Sequence, residues 1–226
     1  MRIRGAFWPP IPPRPNIAMT PEDITALFTH SDGSYHFARW GRPIVPVVFG
    51  VEDQTLSVLK GAIEAVVTLA GHKMAETDAE LGANLMVFFF RDWAELPAVS
   101  GLDGIVPDLA ALCGRLSAQK ASHYRLFRFD ANGSIRAVFV FLQIGGALAE
   151  LPAEYLALSE AAQMICLWSD SAFAHRPILT LQEGKVVLNP QIAAVIRAVY
   201  DPVLPVASTD APHALRVFGR VSLAQG

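Results

Sequence analysis

Between Thr55 and Gly71 the apolar residues Leu56, Leu59, Ile63, Val66, Val67 and Ala70 recur at intervals of three and four, and Gly71 closes the run. That period predicts an amphipathic helix. Upstream, Thr20-Pro21-Glu22-Asp23 predicts a shorter helix ending near His30, with threonine as N-cap and proline in the first turn; Ser31 to Ser34 supplies a turn. Ile44 to Gly50 reads as a strand, and Pro46, which has no N–H for a ladder, puts it near an edge or a bulge. Asn84 to Phe90 is an apolar run of central-strand length, and Pro107 to Leu116 predicts another helix. Arg125 to Leu142 predicts a hairpin around Asn132-Gly133. Its alternation puts Ile135, Ala137, Phe139 and Phe141 on one side, and Arg136, Val138, Val140 and Leu142 on the other.

The pattern turns helical again from Pro152 to Trp168, with Leu158, Ala161, Ala162 and Ile165 as its apolar face. Turn and short-strand character follows Phe173. Asn189-Pro190 then caps a last helix, Gln191 to Tyr200, which Asp201-Pro202 ends. This order predicts a mixed α+β fold, a mixed sheet with helices packed on it. Residues 1–19 form a Pro-rich arm, and 20–226 read as a single domain with no internal repeat.

Composition narrows the classes. The chain has 226 residues, 52% hydrophobic and 17% charged, which favours a sizeable core over disorder. A net charge of −3 without a run of Lys or Arg argues against nucleic-acid or anionic-membrane binding. Cys113 and Cys166 lie in apolar, helix-like surroundings. They read as two buried thiols, although a single bridge stays open. Met1 to Asn16 has no apolar stretch of signal-peptide length, and Ala137 to Ala149 falls short of a bilayer span. The expectation is a cytoplasmic protein with no membrane span, or a periplasmic one if a leader has been removed.

The helix after Pro152 carries the candidate chemistry. A zinc-protease helix reads H-E-x-x-H, two imidazoles four apart with a glutamate as general base. Here that frame is Ser159-Glu160-Ala161-Ala162-Gln163: the base is kept and both ligands are replaced. Ser159, Gln163, Cys166 and Asp170 fall at spacings of four, three and four, one stripe if the helix persists that far, with Glu160 at its margin. A hydroxyl and a neutral amide are poor zinc donors, so no cofactor is expected. Cys166, Asp170 and His175 are the remaining metal candidates, and a Glu160/Asp170 pair is the remaining acid–base candidate. Against these stands the plainer reading, that Ser159 and Gln163 bond to neighbouring backbone and Cys166 is a core thiol.

The pattern extends beyond one helix. Cys166 stands where a metzincin has glycine and Ser169 at the third ligand, with Asp170 beside it. Ser171-Ala172-Phe173 falls where the Met-turn S-x-M belongs, and a helix closes at Tyr200. From about Arg39 to Pro202 the chain resembles an uncharacterised bacterial family, a domain of unknown function in the zincin-like peptidase clan. That family reads E-E-x-x-Q-x-x-G-L-x-N-D, then S-x-F, then L-Y-D-P. Glu160, Gln163, Leu167, Asp170, Phe173, Tyr200, Asp201 and Pro202 match it, and Ser159, Cys166 and Ser169 depart.

The resemblance implies a metzincin-like, twisted, mostly parallel sheet with an antiparallel edge hairpin and a central helix beneath it. An upper part of about 39–168 and a small C-terminal helical lobe of about 169–226 would follow. It implies no activity, since the family has none established. It suggests that Ser159, Gln163, Asp170, Phe173 and Tyr200 replace the metal by a structural network.

Three functions follow as expectations. The first is a zincin-like binding or scaffold protein lacking catalytic zinc, with the hairpin strand Ser134 to Leu142 taking a peptide by strand addition. The second is a hydrolase or peptidase using Glu160 with a rebuilt metal or carboxylate site. It requires some of His30, His36, His72, His123 and His175 to converge. The third is an accessory subunit docking through the arm at Phe7-Trp8-Pro9-Pro10.

Overall fold

Thr20 caps the first helix, as the sequence predicts. Its side chain accepts from the Asp23 N–H while Asp23 accepts from the Thr20 N–H, a reciprocal capping box. The computed structural model describes residues 18–145, 148 and 150–223. The Pro-rich arm up to residue 17, with Phe7 and Trp8, lies outside the described residues, as does Gly146. In chain order the elements are α1 (Pro21–Phe28), β1 (Phe37–Ala38), β2 (Pro46–Phe49), α2 (Asp53–Leu69) and β3 (Leu85–Phe90). A 3₁₀ segment, Trp93–Ala98, leads into α3 (Leu102–Ile105) and α4 (Leu109–Ala118). Then come β4 (His123–Phe129), β5 (Ile135–Gln143) and α5 (Ala153–Met164). The chain closes with β6 (Leu179–Gln182), β7 (Lys185–Leu188), α6 (Pro190–Val199), β8 (Ala207–Ser208) and α7 (Pro212–Leu223).

The fold is mixed α+β. Its main sheet has the order β2-β3-β5-β4, with β2, β3 and β5 parallel and β4 antiparallel to β5. Pro46 does sit on an edge strand. The hairpin strand expected to take a peptide, Ser134 to Leu142, is instead internal: β5 pairs with β3 on one side and β4 on the other, so the hairpin's edge is β4. The crossover that brings β3 beside β5 has no local sequence signature.

Alternate residues of β5 divide between two apolar cores. Val138, Val140 and Leu142 join the core on the side of α2, α5 and α6, whereas Ala137, Phe139 and Phe141 join the one beneath the 3₁₀ segment and α4. Ile135 belongs with the first group, contrary to simple alternation. The register slips between Arg128 and Phe129, which leaves Arg136 as an extra residue and turns Ile135 over. On the α4 side one ring from each strand is in register: Phe49 on Phe88 (4.8 Å), Phe88 on Phe141 (5.2 Å) and Tyr124 on Phe141 (6.2 Å).

The helix read as running to Trp168 ends at Met164. Beyond it Cys166 bridges to Arg39, the Leu167 N–H donates to Ala38 C=O (2.8 Å) and the Ser169 N–H to Leu27 C=O (2.8 Å). Three aromatic donors take up the carbonyls this leaves at the helix end. Trp168 Nε1 donates to Ala162 (2.9 Å), Trp40 Nε1 to Met164 (2.8 Å) and the Tyr200 hydroxyl to Ile165 (2.7 Å). A further helix, α7, follows the one read as last. Within 169–226, β8 pairs with β1 and α7 packs on α1, so residues 20–38 belong structurally with the C-terminal part. No helix among the described residues is long and apolar enough to cross a membrane.

Candidate functional site

Glu160 lies on the face of α5 turned to the sheet, 4% exposed. Arg125 of β4 meets it through two nitrogens: Nε to Oε2 at 3.0 Å, and Nη2 to Oε1 and Oε2 at 2.6 and 2.5 Å. Both carboxylate oxygens are thus engaged by a partly buried guanidinium in a bidentate ion pair, the geometry of a structural contact. His123, two residues along β4, lies within electrostatic reach of both. Burial and the charge of Arg125 hold its imidazole down to about 4, with Glu160 acting in the opposite direction.

The structure separates the other sequence candidates. Gln163 Nε2 donates back one turn, to the Ser159 hydroxyl (3.0 Å) and carbonyl (3.3 Å). Asp170, beyond the helix end and off the predicted stripe, accepts from the Ser31 N–H (3.0 Å) and lies 4.0 Å from His30 Nδ1. Phe173 packs edge-on against Trp168 at 5.2 Å, and Trp168 stacks on Phe28 at 5.4 Å. Tyr200 is the residue that joins elements: its hydroxyl also accepts from the Trp40 N–H (3.3 Å), and Arg39 lies over its ring. Among the described residues, Ser159 with Gln163, Asp170, Phe173 and Tyr200 each make their own local contacts.

Cys166 is fully buried, and burial pushes its thiol well up; His175 is exposed. Both cysteines are free. Among the described residues no three His, Cys, Asp or Glu side chains are grouped to hold a metal ion. His72 bonds to the Arg42 carbonyl (2.8 Å), and His30 and His36 lie together, ring centroids 6.1 Å apart, at the Phe129 end of β4. Of the five histidines considered, only His123 reaches Glu160. His213, which the sequence reading passed over, is buried on α7 beside the Tyr35 hydroxyl (2.7 Å) and against Phe37.

What the site does present is backbone. The Val138 N–H donates to Asn84 C=O (2.9 Å), so the backbone groups of Val138 face β3. Its partner across the hairpin, Phe127, must then point its N–H and C=O away from β5. The bond from the Gln143 N–H to Ser122 C=O (2.8 Å) sets the same phase from the other end. His123, Arg125 and Phe127 thus offer unpaired donors and acceptors outward, and among the described residues no strand pairs with them. Their side chains face α5. Beside them Phe129, 38% exposed, packs on Phe127 (6.4 Å) and against His36 (5.6 Å).

Arg125 and Trp40 were the residues missed. Arg125 carried a weak signal: it shares the strand parity of Phe127 and Phe129, so a charge stands on an apolar face and needs a buried partner. Comparison with family models, curated proteins and solved structures finds no match to this chain.

Proposed function

We propose that this is a zincin-like binding protein without catalytic zinc, whose β4 edge takes up an extended peptide as an added strand. The observation that carries it is the phase of β4: the backbone groups of His123, Arg125 and Phe127 point outward, at the repeat an extended chain can pair with. Two further features support the reading. Glu160 is committed to Arg125, and an antiparallel strand forms the edge of an otherwise parallel sheet above a helix, the arrangement the resemblance implies.

The test is to select binders from a random peptide library and then N-methylate the best one residue by residue. Strand addition predicts loss of binding at every second position, no effect of chelators, and loss in Phe127→Pro, which removes an outward N–H but no ladder bond. A binder with no period-two pattern, or one indifferent to Phe127→Pro, contradicts the proposal.

A further inference from the structure

A second feature lies on the α2/α5 side of the sheet, at the end where Leu142 stands opposite His123. The carboxyl ends of the parallel strands open into a cavity of ≈ 300 Å³, closed by the first turns of α2 and α5. Crevices outside the carboxyl ends of parallel strands are where open α/β sheets bind ligands. The loop leaving β2 crosses so close to β3 that residue 50 must be glycine. Its φ is +82°, and a Cβ there would stand 2.1 Å from the Phe89 carbonyl oxygen.

Of the described lining residues, all but Gly50, Glu52 and Thr55 are apolar; Leu59, Phe89, Leu142 and Leu156 form the floor, and Ile144 stands at the mouth, 41% exposed. An apolar cavity of about 150 Å³ holds a benzene. Twice that volume takes a molecule on the order of ten non-hydrogen atoms.

The rim decides the charge of the occupant. Glu52 lines the mouth and Asp53 follows it, while Glu150 and Glu154 flank the lining residues Leu151 and Ala153. All four are exposed, and among the described residues none makes an ion pair. The partial positive charges at the two helix starts amount to about half a unit each, less than the four carboxylates together. Two cations are equally near in sequence, Lys60 beside Leu59 and Arg91 two residues beyond Phe89, but Glu52 is the charged residue that lines the mouth itself, so the mouth favours a cation over an anion.

We infer that this cavity is a binding site for a small amphipathic amine, its apolar body in the cavity and its protonated nitrogen at the acidic rim. Three probes of one length separate the terms: phenylbutylamine, phenylbutanamide and phenylbutanoate, each titrated into protein with labelled methyl groups. The expected result is saturable shifts at Leu59, Leu142 and Leu156, tightest for the amine, weaker for the amide and weakest for the carboxylate. Glu52→Gln should weaken the amine by up to about fivefold and leave the amide unchanged. Ala153→Phe, at an exposed first-turn position where a larger side chain is tolerated, should fill the mouth and abolish all three. No saturable shift at those methyl groups overturns the inference. So does amide or carboxylate binding as tight as the amine's, or binding indifferent to Ala153→Phe.

Discussion

At the scale of single residues, Glu160 and Arg125 show how a catalytic-looking carboxylate becomes a structural one. Each satisfies the other inside the protein, so removing one alone leaves a buried charge unmatched. Glu160→Gln should cost about 3–5 kcal/mol in urea unfolding, and the double replacement Arg125→Leu with Glu160→Leu should recover most of it. A destabilisation below about 1 kcal/mol for Glu160→Gln would mean that the pair is not closed in solution.

Protonation adds a second residue-scale test. Burial and nearby arginines hold His123 and His213 down to about 4, below the ordinary 6.5. Between those values the unfolded chain takes up protons that the folded one refuses, so stability falls as pH drops through that window and levels off below it. Asp78 adds a later step. Burial raises its carboxyl, but the N–H groups of Leu81 and Glu80, the Asn84 amide and Arg42 outweigh that and bring it from 3.8 to about 2. Its contribution is intact above the ordinary value and lost as pH falls toward about 2. Urea midpoints against pH should show both steps, and His123→Gln with His213→Phe should reduce the first, leaving the part that burial of His36 and His72 contributes. An unchanged slope in that variant would contradict the assignment.

At the scale of elements, the end of α5 is set from far away. Tyr200→Phe removes the hydroxyl that holds the Ile165 carbonyl and leaves the Trp40 N–H without its acceptor, so it should cost about 1–3 kcal/mol. The last turn of α5 should then exchange its amide hydrogens before the rest of the helix. Here the limits of sequence reading are physical. The period of three and four revealed α2, and alternation around Asn132-Gly133 revealed the β4–β5 hairpin, because those signals are local. The stop at Met164 depends on Trp40, 124 residues away in sequence, and the α5 periodicity continues past it without a break. The same holds for the sheet edge: β5 is internal only because β3 docks on it, and no residue of the hairpin reports that. On α7 the buried Ala214, Val217 and Val221 recur at three and four, so that helix was legible in the sequence and was passed over. Of the candidate site, Glu160 and Tyr200 were legible as important positions, but their partners Arg125 and Trp40 were not.

At the scale of the whole molecule, the sheet divides two cores, and each holds one thiol: Cys166 in the larger, Cys113 in the one under α4. Burial raises both thiols, so neither should react with a thiol reagent in the native state at pH 8. If the cores unfold together, both should label at the rate of global unfolding. Faster labelling at Cys113 would show that the α4 layer opens by itself.

The sheet also leaves one long edge open, and strand addition at that edge is the central claim. The most direct measurement is amide hydrogen exchange along β4, with and without a peptide selected for binding. In the free protein the N–H groups of Arg125 and Phe127 should exchange quickly while those of Tyr124 and Leu126 are protected by β5. Peptide should slow exchange at Arg125 and Phe127 and leave the other two unchanged. A bound peptide that gives Arg125 and Phe127 no protection would contradict the claim.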